Sequence, residues 1–112
     1  MEIEIRPGDH AAVVVIAGNV DGLTAETLLD TLHGYVEAGH TRLVADLTGV
    51  HYTSSAGLRA LLATVKQARR NGGDLRLAGI TSPVRKVLEL SGFTMIMKCY
   101  DDVPSAVGSY AG

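Results

Sequence analysis

"DLTGVHYTSSAGLRALL", residues 46–62, runs from the end of an apolar stretch into a helical pattern through three consecutive hydroxyls, Thr53, Ser54 and Ser55. Upstream, "RLVADL" (Arg42 to Leu47) reads as a buried strand. Downstream, Leu58, Leu61, Leu62 and Val65 recur at i, i+3, i+4 and i+7, which places them on one face of a helix. Ala56-Gly57 leaves the first turn sterically bare. Strand, polar loop and helix in succession are the elements of an α/β domain. Either Ser54 or Ser55 fits the N-cap, whose side-chain oxygen takes up an unpaired N–H of the first turn. One hydroxyl suffices for that, so the surplus is either turn chemistry or a modifiable serine on an exposed shelf.

On the N-terminal side, "IEI" (Ile3 to Ile5) alternates apolar with charged residues, as a half-buried strand does, and Pro7-Gly8 makes a turn. "AAVVVIAG" (Ala11 to Gly18) is a buried, β-branched strand, and the two should pair as a hairpin. "NVDG" (Asn19 to Gly22) is a polar turn in which Asp21 can serve the Gly22 and Leu23 backbone. A helix follows from about Thr24 as N-cap, with Leu28, Leu29, Leu32 and Val36 on one face and Gly39 as its stop.

On the C-terminal side, Asn71-Gly72-Gly73 ends the second helix, and "LRLAGI" is a strand that finishes near Gly79. Ser82 caps a third helix with Pro83 at its first position, and Val84, Val87 and Leu88 form its inner face. Gly92 supplies a left-handed end, "TMIM" (Thr94 to Met97) the last strand, and Val103, Ala106, Val107 and Tyr110 a short closing helix. The order β-β-α-β-α-β-α-β-α predicts one α/β domain over residues 1–112: a mixed β-sheet covered by about four helices. The β-α-β units around the second and third helices should be right-handed.

Composition narrows the function. A net charge of -2 argues against direct nucleic-acid binding, which calls for a basic surplus. The one basic cluster, Lys66, Arg69 and Arg70, reads as a solvated helix face. The longest apolar run falls far short of the roughly 20 residues that cross a bilayer, so no membrane insertion is expected. The opening "MEIEIRPGDH" lacks the basic and apolar regions of a signal peptide. The single cysteine, Cys99, permits no internal disulfide and reads as an inert packing or surface thiol, so a cytoplasmic setting is expected.

Catalytic motifs are missing. His10, His33, His40 and His51 are scattered, with no carboxylate or thiol completing a metal set. No phosphate-cradling glycine loop follows a strand, so no cofactor is expected. "SSAG" lacks the first glycine of a nucleophile elbow. Asp101-Asp102 at a helix start serve capping and the helix dipole better than acid–base work. The sequence does not describe an enzyme.

Asp46-Leu47-Thr48-Gly49-Val50, Tyr52 and Ser55-Ala56-Gly57-Leu58, continued by Arg59 to Leu62, together resemble the core of a STAS domain. More narrowly they are similar to the stand-alone bacterial anti-sigma factor antagonists. "GNVD" at the end of the second strand and "SGF" before the last one agree, so the resemblance spans essentially the whole chain. It implies that Ser55 is phosphorylated by a partner anti-sigma factor that is also a serine/threonine kinase. The unmodified form would bind that partner and free the sigma factor, and a serine phosphatase would reset the switch. Where the family often has aspartate this chain has Ser54, a rival acceptor. The partner-binding surface so implied is Asn19, Asp21, Tyr52, Thr53, Ser54, Ser55, Ala56, Gly57, Leu58 and Arg59. A different role shares the same fold: a STAS-type accessory subunit of a membrane lipid or solute ABC transporter. A small hydrolase built on Ser54 or Ser55 lacks a base and an oxyanion site.

Overall fold

A computed structural model describes residues 1–111 of the chain. Its strands are β1 (Glu2–Arg6), β2 (Ala12–Ala17), β3 (Arg42–Gly49), β4 (Asp74–Ala78) and β5 (Cys99–Tyr100), and its helices α1 (Gly22–Glu37), α2 (Ser55–Arg70), α3 (Ser82–Leu90) and α4 (Val103–Gly108). The strands form one sheet in chain order. The β1–β2 pair is the expected antiparallel hairpin, and every later pair is parallel. The sheet is therefore mixed, with β2, β3 and β4 at its centre.

Register places the side chains. Val14, Leu43 and Leu75 face α1, α2 and α3 within the main core, alongside Leu28, Leu32, Leu61, Val65, Val84 and Leu88. Val44 and Ala78 point to the opposite face, where they meet Ala106 of α4. Three helices thus cover one face and the short α4 part of the other. Tyr110, just beyond α4, anchors that layer: its hydroxyl lies 2.8 Å from both Leu43 O and Asp74 O, and Arg76 stacks 3.9 Å above its ring.

Four local expectations are corrected. Helix α1 is capped by Asp21 and not by Thr24: Asp21 Oδ1 accepts the Leu23 and Thr24 N–H groups, and Thr24 Oγ1 accepts the Asp21 N–H at 2.8 Å. That reciprocal box satisfies more orphan donors than a lone threonine cap. Helix α3 begins one residue early, with Thr81 at the cap and Ser82-Pro83 inside. A nine-residue helix then buries only Val84 and Leu88, one turn apart, and leaves Val87 37% exposed. "TMIM" is not a strand. Gly92, at φ 73°, redirects the chain into a 3-10 turn (Phe93–Met95), and Ile96 and Met97 both donate to Phe93 O. Only Met97 of that stretch is buried, and sheet pairing waits for Cys99 and Tyr100. Finally, Arg69 does not lie on a purely solvated face: it donates to Asp74 Oδ1 at 3.0 Å and to Ile96 O at 2.8 Å.

The lone thiol is half-buried. Burial pushes the Cys99 thiol up, opposed by Arg85, and its Sγ sits 3.5 Å from Met97 O.

Candidate functional site

Parallel pairing of β2, β3 and β4 brings three loops to one end of the sheet: β2–α1, β3–α2 and β4–α3. Side chains that gather beyond the carboxyl ends of such strands are well placed for ligands and partners. Here the hydroxyl cluster sits in the middle loop.

That loop is stitched to its neighbour. Gly18 N–H donates to Gly49 O at 2.9 Å, Val20 N–H to Tyr52 O at 3.1 Å, and Ser54 N–H to Val20 O at 2.7 Å. Val20 and Thr53 form an isolated parallel bridge that extends the β2–β3 pairing past a shift in register. Both are buried, at 3% and 9% exposure. The Asn19–Asp21 turn and the serine loop are consequently hydrogen-bonded to each other along one side.

Within it the three hydroxyls divide the work. Thr53 turns inward, its Oγ1 donating to Ser54 O at 3.2 Å. Ser54 is the N-cap, with extended backbone (φ -78°, ψ 168°) and Oγ accepting the Gly57 N–H at 3.2 Å. Ser55 is the first helical residue, exposed, and its hydroxyl takes no hydrogen bond among the described residues. Ser54 is half-buried by comparison. The choice between the two as cap, open in the sequence, falls on Ser54.

The small residue at position 57 has a packing reason. A Cβ there would collide with Thr53 Oγ1 and lie 2.8 Å from Val20 Cγ1. Gly57 is buried, as is Leu58 at 3% exposure. Thr53, Gly57 and Leu58, expected on the partner-binding surface, are instead buried beneath the exposed residues of this end. Asn19, Asp21, Tyr52, Ser55 and Arg59 are exposed, and Ser54 and Ala56 half-exposed. Tyr52 shows 53% of its surface.

The structure adds Leu23, in the first turn of α1 and 83% exposed. The expected cap at Thr24 leaves Leu23 outside the helix and so off the candidate surface. Its place two residues after Asp21, the residue that caps the helix, was the available signal. Across the α1–α2 cleft, Glu26 and Arg59 line opposite walls above Ala25, Ala56 and Ala60.

The start of α2 suits a negative charge. The first turn of α2 contains no acidic residue, and the N–H groups at a helix start carry partial positive charge. Arg59, four residues on from Ser55, joins no ion pair among the described residues. Asp21 is held below the ordinary carboxylate range chiefly by its bonds with the Thr24 backbone and side chain. No group of three or more His, Cys, Asp or Glu side chains suited to a metal occurs among the described residues, and none of their helices is long and apolar enough to cross a membrane.

Known proteins resemble this chain in sequence and in fold. The sequence profile of the STAS domain matches residues 1–106. The protein BtrV of Bordetella bronchiseptica, classed provisionally as an anti-sigma factor antagonist, is 34% identical over 98% of this chain and 95% of its own length. The anti-sigma-B factor antagonist of Listeria monocytogenes is 31% identical over 88% of this chain and 85% of its own. The structure of the Bacillus cell fate determinant SpoIIAA in its phosphorylated form superposes with a TM-score of 0.75 at 16% identity, covering 96% of this chain and 98% of that one.

Proposed function

The chain belongs to the STAS domain family, and from that premise we propose that it is an anti-sigma factor antagonist switched by phosphorylation of Ser55. Relatives of nearly the same length carry that name. The observation that supports the acceptor assignment is local: Ser55 is exposed and unbonded at the start of α2, whereas the Ser54 hydroxyl is engaged as the cap. In this reading the unmodified chain acts in the cytoplasm and binds an anti-sigma factor that is also a serine/threonine kinase. Asn19, Asp21, Leu23, Tyr52, Ala56 and Arg59 surround Ser55 in the contact. A serine phosphatase restores the bound state.

The switch follows from charge and bulk. Phosphorylation adds about -1.5 to -2 charges at pH 7. The helix start and Arg59 accommodate them, so the antagonist keeps its fold. A partner surface fitted to a neutral hydroxyl must instead desolvate an anion. A penalty of about 3 kcal/mol weakens association roughly a hundredfold.

The test is incubation with a candidate anti-sigma kinase from the same genome and ATP, followed by intact mass and site mapping. One phosphate on Ser55 and loss of kinase binding are expected. Labelling that persists in Ser55→Ala and disappears in Ser54→Ala would move the switch to Ser54.

A further inference from the structure

Thr81 occupies the N-cap position of α3 yet makes no side-chain capping bond. Pro83 at the second helical position has no N–H to offer it. Its hydroxyl points instead across the sheet end and donates to Val50 O at 2.6 Å, a contact between residues 31 apart. Val50 is 1% exposed and begins the stretch that leads through Tyr52 to Ser54 and Ser55.

The serine loop is held unequally on its two sides. Towards β2–α1 it has two backbone hydrogen bonds to Val20 and the Val20–Thr53 bridge, with the Gly18–Gly49 bond at its base. Towards β4–α3, the Thr81–Val50 bond is the one hydrogen bond that reaches residues 50–55 among the described residues. We infer that Thr81 is a positioning residue for the Ser55 switch, acting through Val50 to hold the serine loop in its partner-ready shape.

The physical reason is the cost of a buried orphan. Without the hydroxyl, Val50 O lacks its partner in a site closed to water, and the loop gains by shifting until that carbonyl is solvated. Shifted conformers do not present Ser55, Tyr52 and Asn19 together. Affinity then falls by the fraction of molecules that remain competent. Chemistry on a correctly docked loop is unchanged. Thr81 touches neither the acceptor serine nor its phosphate, so its effect belongs to binding. The kinase arm of this inference rests on the reading of Ser55 as the switch; the loop arm stands without it.

The experiment compares Thr81→Val, which keeps the shape and removes the hydroxyl, with Thr81→Ser, which restores a donor. Amide hydrogen exchange of residues 51–57 is measured on each free protein. Exchange should quicken about tenfold in Thr81→Val and return towards wild type in Thr81→Ser, while exchange in β2 and β4 stays unchanged. With the anti-sigma kinase and ATP, Thr81→Val should raise KM about tenfold at an unaltered kcat, and Thr81→Ser should recover it. Equal loop exchange in all three proteins, or a wild-type KM in Thr81→Val, overturns the inference. A fall in kcat alone overturns it too, since that would place Thr81 in the chemistry. A wild-type protein that takes no phosphate on Ser55 fails the switch reading instead, and the exchange data then decide on Thr81 by themselves. If Thr81→Val proves poorly folded, Thr81→Ser against Thr81→Ala supplies the same comparison.

Discussion

Ser54 Oγ accepts the backbone N–H of Gly57 at 3.2 Å, and this one bond settles which of two adjacent serines is structural. The cap uses an oxygen of the half-buried residue, so the exposed neighbour has no structural duty to lose. With Ser55 as the proposed switch, stability and switching fall on different hydroxyls.

Ser54→Ala should therefore cost about 1 kcal/mol of stability through the lost cap. Ser55→Ala should stay within about 0.5 kcal/mol of wild type, as surface substitutions do. Thermal unfolding monitored by circular dichroism checks both. In kinase assays the order reverses, with Ser55→Ala unlabelled and still bound to the partner. Ser55→Asp should fold normally, because an acid in the first turn suits the helix dipole, and should bind about a hundredfold more weakly.

Gly57→Ala tests the packing beneath the site. Its Cβ would meet Thr53 Oγ1 and Val20 Cγ1, both on the bridge that couples the two loops. Overpacking of this kind costs about 1–3 kcal/mol. Denaturant unfolding should show that loss, and Gly57→Leu should fare worse. The surface position expected from sequence would instead have left stability untouched, so a stable Gly57→Leu protein would argue against this packing.

Asp21 ties stability to acid. Its folded carboxyl is held below its ordinary range, mainly by the Thr24 bonds, so the charged form is favoured by folding. The contribution is present above the ordinary carboxylate range and is lost as pH falls through and below it. The difference in melting temperature between wild type and Asp21→Ala should be largest near neutrality and shrink on acidification. A difference independent of pH would show that the capping box does not depend on the carboxylate.

Tyr110 holds the far face of the sheet. Removing its hydroxyl leaves Leu43 O and Asp74 O short of a donor, at a cost of about 1–3 kcal/mol. Burial first, and then the Asp74 charge, raise its phenol well above the ordinary tyrosine value, so stability from the neutral phenol is fully present below that value and is lost as pH rises from it through the raised folded one. Tyr110→Phe should lower the unfolding midpoint at neutral pH while leaving kinase labelling of Ser55 intact, because this anchor lies away from the loop end. An unchanged midpoint would mean that water replaces the hydroxyl without loss.

Periodicity and turn chemistry alone determined the class, the element order except at the last strand, and the apolar faces of α1 and α2. Those features depend on neighbours three or four positions apart in the chain, and Leu58, Leu61 and Val65 are read as a core stripe without any partner in view. Tertiary structure decided what depends on residues distant in sequence. It assigned the cap to Ser54, because Val20 fixes the backbone of that residue through a 2.7 Å bond from a different loop. It put Gly57 against Val20 and Thr53, turning a small surface step into a packing requirement. It drew the Thr81 hydroxyl away from its own helix to Val50, and it denied "TMIM" a place in the sheet by turning the chain at Gly92. For the Ser54 cap and the Thr81 hydroxyl the competing local options differ by about 1 kcal/mol, and one long-range contact is enough to choose between them.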